Sequence, residues 1–564
     1  MSDSSHKNML EKLNINLDDI VDEKIKENIL SLFNIIEDQT AAICKYQQEI
    51  QRLRDELNML KGEQGKPDIK SNKKRPPDDF SSEKERKKAD DSPKQSRGTK
   101  NDKIKIDREE KCMINRSILP PDAEFKGYAT IIVQDLKIET DNVKFQKEVF
   151  YSPSQKKTYM ADLPPNYEKE YGPTVKSISL IMKNVCNMSE PKILEFLHKV
   201  KIHMSAGTLS NILIKDKEQF HQEKDDLFRA GLESTHYQQI DDTHARVNGE
   251  NYNTHVISNP SYTAYFTTEK KNRLTILEIL LGDKELKYRI NNETFTLLEQ
   301  LRVPRKYTQE LKKLKSDNEF EKHEFEALLS KHLQGLKKRS KDRLLEAAAI
   351  SYYHSIVGYP VVKVFMCDGA PQFKLLTKEL ALCWVHDGRN YKKLQPVVPY
   401  YAKILEEFRT RFWDYYSKLL KYRLDPTEEK DKLLSDEFDI LFSTKTGYKQ
   451  LNDRISKTNA KKEYMLLVLK YPELPLHNND AELGARAAVR KRDVSLHTLT
   501  EDGTKANDTF LTIAQTCKKL GVNTYDYIFD RISKEYKLPS LAQIIKTKGM
   551  EKGAIKSKCP PQIN

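Results

Sequence analysis

The chain reads QIDDTHARVNGENYNTHVISNPSYTAYFT from Gln239 to Thr267. Three strand-like runs in this stretch are separated by Asn248-Gly249 and by Asn259-Pro260. Asn-Gly between two such runs is a strong signal for a two-residue hairpin, and Asn-Pro marks a second turn. The stretch therefore predicts an antiparallel meander of three strands.

Two acidic residues, Asp241 and Asp242, lie on the first of these strands. Adjacent side chains of a strand point to opposite faces, so only one of the pair can face a site. We choose Asp241 as a candidate catalytic and metal-binding residue, and assign Asp242 to a supporting position. The alternative is that both are ordinary charges at a strand edge.

A second acidic candidate follows a nearly continuous apolar run, Val361 to Cys367, which ends at Asp368-Gly369. Such a run is typical of a parallel strand that is buried on both faces, and ligands of α/β sheets bind beyond the carboxyl ends of strands. The pattern predicts Asp368 at the site. A helix cap for the segment that begins near Pro371 is the alternative.

A third acidic candidate, Glu482, lies in LHNNDAELGAR (476–486), where the pattern predicts the first turn of a helix. Cationic residues follow on or near the same face, and we predict that they contact phosphates: Arg486, Arg490, Lys491 and Arg492. The alternative is a surface Glu–Arg pair worth about 0.3 to 0.5 kcal/mol.

The segment Cys383-Trp384-Val385-His386 precedes another candidate phosphate contact, Arg389. Cys383 and His386 have a metal-like spacing, but two ligands do not complete a tetrahedral zinc site, so zinc is not expected. We assign both residues to supporting roles beside the acids.

Three carboxylates in one site suit two Mg²⁺ or Mn²⁺ ions and phosphoryl transfer. The 564 residues carry a formal charge of +13, which favours an anionic polymer such as double-stranded DNA as the partner. Seven cysteines without CxxC pairing indicate a reducing compartment. No apolar run suits a membrane or a signal peptide, so we expect a cytoplasmic, nucleoid-associated protein that is neither secreted nor membrane-bound.

The N-terminal segment, 1–62, repeats apolar residues in heptads, with isoleucine or leucine at 29, 36, 43, 50 and 57. This pattern favours a two-stranded parallel coiled coil and therefore a homodimer. The alternative is an amphipathic helix that folds back on its own chain. Residues 63–110 are charged and poor in apolar residues, which predicts a disordered basic linker.

Between the linker and the meander, two further segments are predicted. Residues 111–186 alternate apolar and polar side chains, for example at 128–133 and 143–151, and predict a small β-containing module. Residues 187–232 predict two short helices like a helix-turn-helix, with Thr208, Ser210 and Asn211 presented to a DNA groove. Any packed helical hairpin gives the same pattern.

The fold class predicted for 233–498 is α/β: the antiparallel meander plus parallel strands in one mixed sheet, with helical insertions at about 270–350 and 400–470. A helical C-terminal segment, 499–564, follows.

Several of these motifs together resemble the transposases of the insertion sequence 66 family. They are Asp241-Asp242-Thr243, Asp368-Gly369, Cys383-Trp384-Val385-His386, Asn478-Asn479-Asp480-Ala481-Glu482 and GVNTYDY at 521–527. The resemblance implies a ribonuclease-H-like catalytic domain whose DDE triad is Asp241, Asp368 and Glu482, with Mg²⁺ or Mn²⁺ as cofactor. It also implies that 111–186 is a degenerate zinc-finger-like module, since Cys112 stands alone there.

The function implied is that of a DNA transposase, which cuts and joins the terminal inverted repeats of a transposon and its target DNA. The alternative is a domesticated or inactive DNA-binding protein derived from such a transposase.

Overall fold

A computed structural model of the chain describes residues 17, 20–61, 104–120, 123–164, 167, 170–314 and 316–556. Residues 63–103 of the predicted linker lie outside the described residues. The helices are α1 (Glu23–Leu60), α2 (Pro173–Asn184), α3 (Glu190–Lys199), α4 (Ala206–Ile214), α5 (Glu218–Ser234), α6 (Arg273–Leu281), α7 (Asn292–Gln300), α8 (Arg305–Lys313), α9 (Lys322–His332), α10 (Lys338–Ser355), α11 (Trp384–Lys392), α12 (Pro399–Tyr422), α13 (Glu428–Phe442), α14 (Lys449–Asn459), α15 (Lys462–Met465), α16 (Leu467–Lys470), α17 (Asn479–Ser495), α18 (Glu501–Leu520), α19 (Thr524–Ile532) and α20 (Leu541–Lys556).

The strands are β1 (Val149–Ser152), β2 (Lys157–Met160), β3 (Tyr237–Val247), β4 (Glu250–Asn259), β5 (Tyr262–Thr268), β6 (Tyr288–Ile290), β7 (Ser316–Phe320), β8 (Val364–Cys367) and β9 (Glu379–Leu382). A mixed sheet has the order β5-β4-β3-β8-β9. β3, β4 and β5 form an antiparallel meander, whereas β8 and β9 run parallel to β3. The α/β class and the meander are therefore confirmed.

The turn between β3 and β4 explains the register of the meander. Asn248 and Gly249 have φ values of 49° and 82°, which is the left-handed backbone that a tight hairpin requires. Val256 and Tyr265 cluster with Ala485 of α17 on one face of the sheet. Ile257, the neighbour of Val256, belongs to the main core on the other face, as a period of two requires.

The edge of the sheet at β5 is covered by α18. The backbone N–H groups of Thr263 and Tyr265 donate to the hydroxyls of Thr516 and Thr512, and the N–H of Thr267 donates to Asp508. The donors are two residues apart on the strand and the acceptors four apart on the helix. One helix thus satisfies a row of edge groups that would otherwise be open to pairing with another strand.

The insertion predicted at about 270–350 is not entirely helical. It comprises α6 to α10 together with β6 and β7, which pair antiparallel. The second insertion is helical, from α12 to α16, and the aromatic residues of α12 are packed around Trp384.

Helix α1 packs against this second insertion through its first half. Phe33 is buried against Tyr401, and the Glu37 carboxylate accepts hydrogen bonds from the N–H groups of Val397 and Val398 at the start of α12. The alternative of folding back onto the chain therefore holds for this half. The seam from Ile43 to Leu60 is exposed, and the coiled coil remains a prediction.

The region 104–164 contains a hairpin, β1–β2, and is otherwise largely irregular in its described part. The strand predicted at 128–133 does not form: Ile131 and Val133 are exposed, so no apolar face is buried that would stabilise a strand. Across the described residues, the helices include none with the length and apolar character needed to span a membrane.

Candidate active site

A pocket of about 240 Å³ lies beside the middle of β3, the carboxyl end of β8 and the start of α17. The three acids singled out in the sequence, Asp241, Asp368 and Glu482, all line it. Its other charged or polar lining residues include Asp242, Thr243, His386, Arg389, Asn478 and Arg486.

The positions of Asp241 and Asp368 follow from strand register. In the parallel ladder Tyr237 is paired with Val364, and Gln239 with Met366. The same register continued by two residues sets Asp241 opposite Asp368. Since neighbouring strands are about 4.8 Å apart, the two carboxylates emerge side by side at this edge.

Glu482 is brought to the same edge by three hydrogen bonds between β3 and the start of α17. Asn478 Nδ2 donates to the carbonyl of Ile240 at 2.8 Å. Gln239 Nε2 donates to Asp480 at 3.0 Å, and its oxygen accepts the N–H of Asp480 at 2.9 Å. Gln239 is not among the candidates predicted from the sequence, although a polar residue inside a buried strand was the available signal. The motif at 478–482 therefore has a clear structural role, which is to anchor α17 beside Asp241.

A glycine allows α17 to approach the sheet. A Cβ on Gly484 would lie 2.7 Å from Val256 Cγ1 and 3.0 Å from Thr263 Cγ2. The Gly484 carbonyl also accepts a hydrogen bond from the Tyr265 hydroxyl at 3.0 Å. This close contact is two residues from Glu482, so it helps to fix the height of that side chain above the sheet.

The pocket concentrates negative charge. Burial above all, together with the neighbouring carboxylates of Asp368, Glu482 and Asp242, raises the pKa of Asp241 to about 7, although the hydrogen bond from the N–H of Asp242 lowers it. Arg389 faces Glu482 and donates to both of its oxygens, at 3.1 and 3.2 Å. Arg486 is 3.9 Å from the same carboxylate. Two guanidinium groups therefore partly balance the acids.

Asp242 has partners of its own. Gln372 Nε2 donates to one carboxylate oxygen at 2.6 Å, and Lys271 Nζ lies 3.5 Å from the other. Because it is already held by an amide and an ammonium, Asp242 is suited to fixing the loops around the pocket.

Cys383 ties two segments together beneath the pocket. Its buried Sγ accepts hydrogen bonds from the N–H groups of His386 and Asn478, each at 3.3 Å. Burial raises the pKa of this thiol to about 12, so the sulfur stays protonated. His386 lines the pocket, and burial lowers its pKa, so its imidazole is neutral at neutral pH.

The acids provide hard oxygen donors, which fit Mg²⁺ or Mn²⁺. Asn478 Oδ1 is buried in the pocket wall without a hydrogen-bond partner in the described part of the chain, which adds an unsatisfied acceptor. As the side chains stand, no group of three or more His, Cys, Asp or Glu residues among those described is arranged to hold a metal ion. Glu482 is paired with Arg389, so that carboxylate is turned to a cation of the protein.

The other candidate DNA contacts lie outside this pocket. Ser210 and Arg492 line a second, larger cavity, whereas Asn211 and Arg490 are exposed and Thr208 bonds to the helix cap Ser205.

Lys491 does not fit the predicted phosphate contact. It is buried and bonded to Asn184, and burial lowers its pKa to about 7. It follows Gly484 by seven residues, two helical turns, and so shares the face of α17 that packs on the sheet.

Comparison with known proteins gives two findings. The family model described as "Transposase IS66 family" matches residues 341–506, a range that includes Asp368, Arg389 and Glu482. An uncharacterized protein, y4jO, of Sinorhizobium fredii is 31% identical over 309 residues, which are 54% of this chain and 94% of that protein.

Proposed function

The chain belongs to the IS66 family of transposases, and on that premise we propose that it cuts and joins transposon ends by metal-dependent phosphodiester hydrolysis and strand transfer. The observation that carries the proposal is the meeting of Asp241, Asp368 and Glu482 in one pocket from segments far apart in the sequence. We assign a ribonuclease-H-like fold to this unit, because an antiparallel meander is extended by two parallel strands, with Asp241 on its first strand and Asp368 at the carboxyl end of the neighbouring parallel strand.

Two Mg²⁺ or Mn²⁺ ions would be held by Asp241, Asp368 and Glu482, and when bound they would supply charge for an in-line attack on a phosphodiester. The chain's own residues perform the remaining tasks. Arg389 and Arg486 flank the acids and bind the phosphates on either side of the cleaved bond. Their pairing with Glu482 holds that carboxylate in place before DNA arrives.

Double-stranded DNA, as transposon ends and target, is the proposed partner. The second proposed partner is another copy of the chain, which would bind through the exposed seam of α1. Ile43, Ile50 and Leu57 are each about half exposed, while Phe33 and Glu37 on the docked face are buried. Ile29 and Ile36 of the same seam pack against the chain's own core, so packing on the same chain and pairing between chains use different halves of one helix. We expect Ile50→Lys to convert a dimer to a monomer in light scattering, whereas a wild-type monomer would contradict the pairing.

The experiment is Mg²⁺- or Mn²⁺-dependent cleavage of a plasmid that carries the DNA flanking the coding sequence. Wild type is compared with Asp368→Asn, Glu482→Gln and, as a matched control on the exposed face of α17, Asp493→Asn. We expect the first two substitutions to abolish cutting with DNA binding retained, and the control to cut normally. Binding without cutting by the wild type would support instead a non-catalytic DNA-binding descendant.

A further inference from the structure

A second cavity, of about 490 Å³, lies next to the catalytic pocket. It is bounded by the end of β3, by the C-terminal half of α17, by the loop that follows α17, and by parts of α2, α4 and α18. It is thus about twice the size of the pocket that contains the acids.

The two hollows are adjacent, with α17 between most of their walls. Thr243 lines both of them. Helix α17 contributes Arg486 to the catalytic pocket and Arg492, less than two turns later, to the second cavity. The ten residues from Glu482 to Arg492 span about 15 Å of helix, which corresponds to about four nucleotides of B-form rise. A DNA strand cleaved at the acids therefore reaches the second cavity within a few nucleotides.

The charged side chains of this cavity are mainly cationic. Arg246 is exposed at the end of β3, and has no ion-pair partner among the residues that the structure describes. Arg492 donates to the carbonyl of His244, and Lys183 lies 3.3 Å from Glu190. Arg246 is therefore the cation best placed to accept a phosphate without first losing another partner.

The remaining wall is apolar. Leu213 of α4 and Phe510 of α18 line the inner part, and Leu496 and Leu499 of the loop after α17 are 69% and 68% exposed. The loop is held in place because Thr498 accepts a hydrogen bond from the N–H of Asn248 at 2.8 Å and is bridged to β3. Exposed leucines on a fixed loop beside unpaired positive charge suit a ligand with an apolar face and an anionic group.

We propose that this cavity binds one unpaired nucleotide of the DNA strand beyond the cleaved bond, its base against Leu499 and its phosphate on Arg246. The inference rests on the proposed function. A nucleotide combines a flat apolar face with an anion, and the cavity is too small for a duplex, so the base enters unpaired. Ser210 of α4 lies at the same cavity, so the helix-turn-helix-like segment and the acids act on one strand.

The test uses the full chain with Asp368→Asn, to prevent cutting, and a duplex of the element end with 2-aminopurine at single positions flanking the cleavage site. One version is fully paired and one carries the probe in an unpaired tail. We expect about tenfold tighter binding of the tailed DNA, and a change of 2-aminopurine fluorescence at one position only. Arg246→Gln and Leu499→Ser, both at exposed positions, should each reduce that preference to less than threefold, whereas Arg339→Gln on α10 should leave it unchanged.

Equal binding of paired and tailed DNA by a chain that cleaves element ends would overturn this inference alone. Failure of the wild type to bind or cut either DNA would overturn it together with the proposed function. A preference for the tail that survives both substitutions would overturn the assignment to this cavity.

Discussion

Substitution of Gly484 by alanine tests how closely α17 must approach the sheet. The new Cβ would lie 2.7 Å from Val256 Cγ1 and 3.0 Å from Thr263 Cγ2, and both of these side chains are fully buried. Neither neighbour can rotate into open space, so α17 must move away from β4. Overpacking of this kind costs about 1 to 3 kcal/mol, and a contact below 3.0 Å against β-branched residues belongs in the upper half of that range.

Alanine also favours the helix by about 1 kcal/mol relative to glycine. The net expectation is a loss of about 1 to 2 kcal/mol in the free energy of unfolding, measured by urea denaturation followed by circular dichroism. Because Glu482 is carried on the same turn, metal-dependent cleavage should fall by more than the loss of folded protein explains.

The matched control is Gly549→Ala in α20, where a Cβ would meet nothing within 4 Å. This change should be neutral or stabilise the protein by up to about 1 kcal/mol. If Gly484→Ala were as stable as this control and cleaved DNA at the wild-type rate, the close approach at Gly484 would not be what positions Glu482.

Three further substitutions have predicted effects. The pKa of Asp241 in the folded protein is about 7, above its usual 3.8, so between these pH values the folded state binds more protons and its stability falls as the pH rises. In EDTA, Asp241→Asn should therefore remove this decrease of the melting temperature between pH 4.5 and 8, and an unchanged decrease would contradict the assignment. Arg389→Gln should tighten Mn²⁺ binding to the DNA-free protein by about 1.5- to fivefold in calorimetry, because a partly exposed ion pair with Glu482 is worth about 0.2 to 1 kcal/mol and competes with the metal. Weaker Mn²⁺ binding would refute this. Asp387 is buried and its carboxylate accepts hydrogen bonds from Arg454 and Thr458. Asp387→Ala should therefore lower the free energy of unfolding by about 3 kcal/mol and shift α11. A loss below about 1 kcal/mol would show that water replaces the carboxylate.

The sheet was largely predictable because its signals are local. The hairpin at Asn248-Gly249 can be predicted from four neighbouring residues, and the strand that ends before Asp368 can be predicted from its own apolar run. The hairpin β6–β7 was missed because Tyr288–Ile290 is too short to show a period of two within a charged helical segment. The strand predicted at 128–133 failed for the opposite reason, since its local pattern finds no partner strand among the residues that the structure describes.

The acids of the candidate site could be predicted from the sequence, but the hydrogen bonds that hold their elements together could not. Asp241 could be chosen from the first strand of the meander, Asp368 from the end of a strand and Glu482 from the start of a helix. The bonds of Gln239 with Asp480 could not, because they join residues that are 241 positions apart and depend on how α17 crosses the sheet. Likewise, the basic run at 490–492 does not by itself indicate that Lys491 is buried. That follows only once the contact of Gly484 shows which face of α17 packs on the sheet.

The pocket is built from three segments that leave the ribosome at different times. Strand β3 and strand β8 are already synthesised when the helix that carries Glu482 is still missing, and at about 5 to 20 residues per second the interval after Asp368 is about 6 to 23 s. During that interval the nascent chain holds two of the three acids and lacks the helix that covers the edge of its sheet at β5. If the three acids act together as proposed, the site is not complete until the helix that carries Glu482 has emerged, so the order of the elements along the chain delays activity until after β3 and β8 are made.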